Sequence, residues 1–175
     1  MAELLTADLE LRLLAPDDGV KKASHGEEIY FPLRVFLAND AKKHHAWHVS
    51  KTYVFADAKK RVIAYITITC SQVLLDEGAT PEDVKKVHFP FPAVKIAKLM
   101  VDSDIRKNGL GMKLVKLAVA VAIDKIMPNV GCRFVTVDAH RSAIDFYKAC
   151  GFVMLDTDEN RQSQDPLMFY DLGKV

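Results

Sequence analysis

The chain has 175 residues, half of them hydrophobic and 27% charged, which suits one domain over 1–175 with a sizeable core. Lys+Arg number 24 against 23 Asp+Glu, a formal net charge of +1, so bulk charge does not make this a nucleic-acid coat and only a local basic face stays open. The longest uninterrupted apolar run, residues 117–123, is far too short to span a membrane.

In chain order, Glu3, Asp8 and Glu10 among the first leucines depart from the basic-then-apolar plan of a signal peptide. Residues 9–14 alternate enough to predict a strand, and the Pro-, Asp- and Gly-rich stretch 15–19 a turn. Mixed helical spacing over 29–47 predicts one or two short helices. Residues 51–56 and 61–71, β-branched and aromatic around a polar 57–60 gap, predict a hairpin. In it, Ile63, Tyr65, Thr67 and Thr69 point to one face and Ala64, Ile66, Ile68 and Cys70 to the other. Thr80, Pro81, Glu82 and Asp83 form a helix-start signature with Thr80 as N-cap. The Phe-Pro-Phe-Pro run at 89–92 ends that short helix in an extended stretch.

A strand over 94–101 follows. Then comes a long helix over 109–127, whose Leu110, Leu114, Leu117, Ala118, Val121 and Ile126 recur at near-helical intervals before Pro128. Residues 133–138 predict a strand and 142–150 a helix closed by Gly151. Residues 152–155 and 167–172 predict two strands joined by a polar loop over 156–166. The order is mixed α/β: antiparallel strands first, then strand–helix–strand–helix–strand. Cys70, Cys132 and Cys150 are widely spaced with no Cys-x-x-Cys pair. They read as buried thiols of a reducing, cytoplasmic compartment, not as a disulfide framework or a zinc site.

The informative segment is 94–111, VKIAKLMVDSDIRKNGLG. A strand leads through Arg106-x-x-Gly109-x-Gly111 into the long helix. Two glycines let the backbone turn tightly and approach a ligand without Cβ obstruction. The unpaired N–H groups of the first helical turn, at the positive end of the helix dipole, make an anion site. A pyrophosphate is the obvious occupant, with Arg106 or Lys107 adding charge; the alternative is an ordinary strand-to-helix corner. No Gly-Lys-Ser/Thr follows, which excludes a P-loop, and the third glycine of the dinucleotide fingerprint is missing.

About 35 residues later stands His140-Arg-Ser-Ala143-Ile-Asp-Phe146-Tyr147-Lys-Ala-Cys-Gly151-Phe152. Arg-x-x-Gly-x-Gly on a strand–helix turn, followed by Ala-x-x-Phe-Tyr-x-x-x-Gly-Phe, resembles the GNAT family of acetyl-CoA-dependent N-acetyltransferases, over residues 51–172. The resemblance implies a central, mostly antiparallel splayed sheet flanked by helices, with the pantetheine arm of acetyl-CoA in the gap beside the strand before the turn. Leu99, Met100 and Val101 would offer backbone groups to pantetheine and the thioester carbonyl. Arg106, Lys107, Asn108, Gly109, Leu110, Gly111 and Met112 would cradle the pyrophosphate. Tyr147 matches the tyrosine that protonates the departing thiolate; read from the residues alone, it is also a core aromatic beside Phe146. His140 stands where many members have Asn, and is either a cofactor contact or an exposed helix-start residue. Direct attack by a primary amine, without a metal, is the mechanism implied.

Members that acetylate lysine-like amines often carry a Glu on the strand before the turn. Residues 94–101 offer only Lys95 and Lys98, and Asp102 at the strand end reads as a turn cap. An α-amine with a pKa of about 8 then suits the enzyme better than a lysine at about 10.4. Phe36-Leu-Ala-Asn-Asp-Ala41, Thr52-Tyr-Val, Val62-Ile-Ala-Tyr, Lys98-Leu-Met-Val-Asp102 and Asp165-Pro-Leu-Met-Phe resemble the acetyltransferase toxins of toxin–antitoxin pairs and their non-toxin relatives. Such toxins block the α-amine of aminoacyl-tRNA and are restrained by an antitoxin. The acceptor therefore stands open between aminoacyl-tRNA, a protein amine and a small amine. A homodimer, and a non-catalytic CoA- or partner-binding domain, are further alternatives. Lysines at 42–43, 59–61, 85–86 and 113–116 would supply a tRNA patch or merely solvated faces. His44, His45 and His48 beside Trp47 read as a substrate-side loop or helix in preference to a metal site.

Overall fold

The computed structural model describes residues 9–20, 23–24, 26–76, 78–87 and 90–174; Glu3, Asp8 and Phe89 lie outside them. The β-branched and aromatic runs form strands β1 (Glu10–Leu13), β2 (Lys51–Ala56), β3 (Val62–Val73), β4 (Phe91–Val101), β5 (Phe134–Asp138), β6 (Val153–Met154) and β7 (Leu167–Asp171). Between them lie helices α1 (Phe31–Asn39), α2 (Ala41–Ala46), α3 (Leu110–Val121), α4 (Ile144–Ala149) and α5 (Asp158–Gln162). The seven strands make one sheet in the order β1-β2-β3-β4-β5-β7-β6. β1 with β2, β2 with β3, β5 with β7 and β6 with β7 are antiparallel. β4 and β5 are parallel, from Ala93 opposite Phe134 to Ile96 opposite Val137, while β4 itself runs on to Val101. A parallel pair needs a crossover, and α3 lies on it.

Contacts group the chain into two units. The first is the described part of Met1–Thr69 with Ala97–Leu117. Its core gathers Leu14, Leu37, Val54, Val62, Tyr65 and Met100, and the Tyr65 hydroxyl donates to the Leu33 carbonyl at 2.7 Å. At its margin the Arg12 guanidinium forks onto buried Asp18 at 2.6 and 2.8 Å. Burial pushes the Asp18 carboxyl up, but the hydrogen bonds from Arg12 and the Ala15 N–H outweigh it and hold the carboxyl below its ordinary value.

The second unit is Cys70–Ile96 with Ala118–Val175. Phe134 takes Phe91 and Phe169 edge-on at 5.5 and 5.7 Å. Beside these rings, Arg133 joins Asp83 to Asp171.

Residues 62–68 are buried on both faces of β3. Several expectations are corrected. The expected helix at Thr80 is a single 3₁₀ turn, Glu82–Val84, with Pro81 at its N-cap. Thr80 instead donates its hydroxyl and its N–H to the Asp76 carbonyl at 2.7 and 2.9 Å, and Asp76 Oδ1 accepts the Ala79 N–H, so an earlier turn closed by Asp76 takes up the polar groups of Thr80. β4 begins three residues before the expected strand, at Phe91. The long helix changes at Ala122–Ile126 into a π turn, where the Met127 N–H donates to the Ala122 carbonyl at 2.9 Å. The loop at 156–166 holds α5, whose Thr157 N-cap accepts from the Asn160 N–H ahead of Asp158 and Glu159, a helix-start signal present in the sequence. The last expected strands shorten accordingly. Cysteine burial also differs: Cys132 is buried, Cys150 half-buried, and Cys70 exposed near the end of β3.

Candidate active site

In the first unit, β4 delivers Leu99, Met100 and Val101. Met100 is buried and packs in the core, so strand alternation turns Leu99 and Val101 to the opposite side. Asp102 then turns the chain, as a cap does. Its carboxylate accepts the Asp104 N–H at 3.1 Å and the Ser24 N–H at 2.9 Å, and its own N–H donates to the Ile63 carbonyl. A 3₁₀ turn, Ser103–Ile105, leads to Arg106.

Lys107 and Gly109 both adopt left-handed backbone, with φ of 68° and 75°, and Asn108 braces the bend by donating to the Ile105 carbonyl. The first α-helical bond of α3 runs from the Lys113 N–H to the Gly109 carbonyl at 3.0 Å. The N–H groups of Leu110, Gly111 and Met112 precede that bond and have no acceptor within the helix. A Cβ added at Gly109 would meet nothing within 4 Å. Beside a helix N-terminus, that room suits a pyrophosphate approaching the backbone closely. Arg106, expected to reach for the anion, instead lies over the Tyr30 ring at 4.4 Å and donates through Nε to the Val101 carbonyl at 3.3 Å. Sequence reasoning missed Ser24 and Tyr30, which carry no motif.

In the second unit, His140 caps the 3₁₀ turn Arg141–Ala143: its Nδ1 accepts the Ser142 N–H at 3.3 Å. That occupies one ring nitrogen and leaves Nε2 for other use. Tyr147 on α4 is buried, with Phe146 and Phe152 edge-on at 5.0 and 5.6 Å. Burial, with Cys150 adding in the same direction, pushes its hydroxyl well above the ordinary tyrosine value. The phenol therefore holds its proton through the neutral range. Lys95 pairs with Asp138 at the end of β5, and β4 carries no carboxylate.

The histidines diverge. His45 Nδ1 accepts the Thr52 N–H at 3.2 Å, His48 Nδ1 accepts from Lys51 at 3.0 Å, and His44 lies edge-on to Phe36. Among the described residues, no three metal-ligating side chains converge. The lysine clusters also divide. Lys42 donates to the Pro16 and Asp18 carbonyls, while Lys60, Arg61 and Lys85 pair with Asp17, Asp57 and Glu82. On and beside α3, Lys107, Lys113 and Lys116 are exposed, and the helix has no acidic residue. A pocket of about 760 Å³ in the second unit is lined by Asp83, Arg133 and Asp171 among others, and its arginine already answers both carboxylates. No helix among the described residues is long and apolar enough to cross a membrane.

The family description "Acetyltransferase (GNAT) family" matches residues 23–152. A solved structure of AtaT complexed with acetyl-methionyl-tRNAfMet has a TM-score of 0.80 at 23% identity, over 95% of this chain and 96% of that one. A mutant AtaT toxin bound to the C-terminus of the antitoxin AtaR and acetyl-CoA gives 0.72 at 19%, over 95% of each chain. A KacT mutant gives 0.75 at 21%, over 95% of this chain and 96% of that one. At these identities the likeness is one of fold. No curated protein sequence matches the chain.

Proposed function

Since this chain belongs to the GNAT acetyltransferase family and is an acyltransferase whose co-substrate is acetyl-CoA, we propose that it acetylates the α-amine of an aminoacyl-tRNA, in the cytoplasm, with residues 1–175 working as one domain. The observation that carries the site is Gly109: a left-handed turn with open room beside it, at the head of a helix whose first three N–H groups lack helical acceptors. Leu110, Gly111 and Met112 hold the pyrophosphate there, with Asn108 shaping the turn and the charges of Arg106 and Lys107 close by. Leu99, Met100 and Val101 bind the pantetheine arm through backbone groups, and the Met100 N–H supports the oxyanion. His140 contributes Nε2 to the same ligand.

Acetyl-CoA, when bound, supplies the thioester. A nitrogen–carbon bond forms as the carbon–sulfur bond breaks, Tyr147 gives its phenolic proton to the leaving sulfur, and water takes the proton lost by the amine. β4 has no carboxylate to act as base, which favours an amine already largely neutral, with a pKa of about 8. Two observations support tRNA as the carrier of that amine. The exposed Lys107, Lys113 and Lys116 stand on or beside a helix with no acid. The fold is also shared with AtaT, which is solved with acetyl-methionyl-tRNAfMet. A toxin of this kind has an antitoxin as protein partner.

The test is transfer of label from acetyl-CoA to a pool of aminoacylated tRNA, with wild type and Tyr147→Phe side by side. Label on the tRNA fraction that requires Tyr147 is expected. Sound acetyl-CoA binding without label on tRNA would overturn the substrate and leave a protein or small amine to be found by screening.

A further inference from the structure

We infer that Ser24, Gly26 and Tyr30, which lie outside every motif of the sequence, are positioning residues for the acetyl-CoA turn. The inference rests on the reading of residues 106–112 as the pyrophosphate cradle. Ser24 is separated from Asp102 by 78 positions, yet it meets the turn with all its polar groups. Its N–H donates to Asp102 Oδ2 at 2.9 Å, its carbonyl accepts the Ser103 N–H at 3.0 Å, and its hydroxyl accepts from Ser103 Oγ at 2.6 Å. Asp102 is thereby shared between Ser24 and the Asp104 N–H.

Gly26, at φ +73°, lies so close that a Cβ on it would come within 3.0 Å of Ser103 Cβ and 3.4 Å of Arg106 Nη1. Tyr30 then stacks on the Arg106 guanidinium at 4.4 Å. The three residues thus touch the turn at Asp102, Ser103 and Arg106, ahead of Gly109.

The turn needs such support. Lys107 sits in left-handed backbone that a non-glycine residue rarely adopts, and strained backbone persists only where its surroundings over-determine it. With Arg106 held back on Tyr30 and tied to the Val101 carbonyl, the start of the turn is fixed three residues ahead of Gly109, which favours presenting the N–H groups of Leu110, Gly111 and Met112 together. Loosening the support spreads these donors, which weakens acetyl-CoA binding and leaves the proton donor on α4 unchanged.

Calorimetric titration of the full-length protein with acetyl-CoA, at a temperature where circular dichroism shows every variant folded, tests this. Tyr30→Leu is expected to bind about fivefold more weakly. Asp102→Asn, which cannot accept both N–H groups, is expected to bind about tenfold more weakly. Tyr30→Phe keeps the ring and should restore affinity to within about twofold of wild type. Gly109→Val separates the two levels of the argument. If it abolishes binding while Tyr30→Leu and Asp102→Asn bind like wild type, the positioning role is wrong and the cradle stands. If Gly109→Val itself binds like wild type, the cradle reading fails and the inference with it. Equal weakening in Tyr30→Phe and Tyr30→Leu would overturn the stacking argument.

Discussion

Gly109 and Gly151 stand at opposite ends of two helices and have nearly the same backbone, with φ of 75° and 91°. That backbone favours glycine at both, and the two differ in what surrounds them. Gly151 ends α4: the Phe152 N–H reaches back to the Tyr147 carbonyl at 3.0 Å and the Gly151 N–H to the Lys148 carbonyl, the bonding of a Schellman cap. A Cβ there would stand 3.0 Å from the Tyr170 ring, so protein fills the space. Gly109 begins α3, and a Cβ there would meet nothing within 4 Å. One glycine makes room for a neighbouring side chain, and the other leaves open space that the proposed pyrophosphate would use.

The comparison can be broken by experiment, and the largest effect concerns the helix that Gly151 closes. Tyr147→Phe should lower kcat on the order of 10²- to 10³-fold, the scale of a lost general acid, with acetyl-CoA affinity within about twofold. Equal turnover in the two proteins would remove Tyr147 from the chemistry and leave α4 a packing element. Gly109→Val should weaken acetyl-CoA binding by about 100-fold or more, because the branched side chain occupies the pyrophosphate's approach. Its melting temperature should fall by less than that of Gly151→Val, since left-handed strain is common to both and the added atoms at Gly109 meet no protein.

Gly151→Val should do the reverse. Left-handed strain and the clash with Tyr170 should cost about 2–3 kcal/mol in denaturant melts, while the folded fraction keeps its acetyl-CoA affinity. If the two glycine variants exchanged phenotypes, the distinction between ligand room and packing room would collapse.

The smallest effect is in the pH profile. Burial raises the Tyr147 hydroxyl, so its acid form persists to higher pH than for an exposed tyrosine, and its ionisation produces no falling limb between pH 7 and about 9.5. Activity should instead rise with the neutral fraction of the acceptor, levelling above about 8 for an α-amine and still climbing at 10 for a lysine. A fall above pH 8 that disappears in Tyr147→Phe would contradict the assigned burial.

Much of this was legible in residue order. The paired motifs, Arg106-x-x-Gly109-x-Gly111 and Ala143 to Phe152, marked the strand–turn–helix and the tyrosine helix, and β-branched runs marked most strands. These signals are local, since backbone preference and side-chain periodicity act over a few residues. The expected helix at Thr80 failed to a local competitor, the turn that Asp76 closes on Ala79 and Thr80. The helix α5 was missed although Thr157, Asp158 and Glu159 announced it.

Other features depended on which distant segments the fold brings together. The lysine clusters looked alike in sequence, yet Lys42 is spent on the Pro16 and Asp18 carbonyls while Lys113 and Lys116 face solvent. The histidines, adjacent along the chain, turn to Phe36, Thr52 and Lys51. Arg106 carries a charge that residue order assigns to a ligand and tertiary contact assigns to Tyr30.

The amino-acid sequence thus marked where the turn and the tyrosine helix lie, because glycine conformational freedom, helix caps and strand periodicity are written in neighbouring residues, and the resemblance of those two motifs to the GNAT family implied the acetyl-CoA-dependent activity. Only the tertiary structure decided that Ser24 would clamp Asp102 and that Tyr30 would hold Arg106. Nothing in either residue names a partner more than seventy positions away, because side-chain chemistry sets what a residue can bond and only the fold sets which residue it meets.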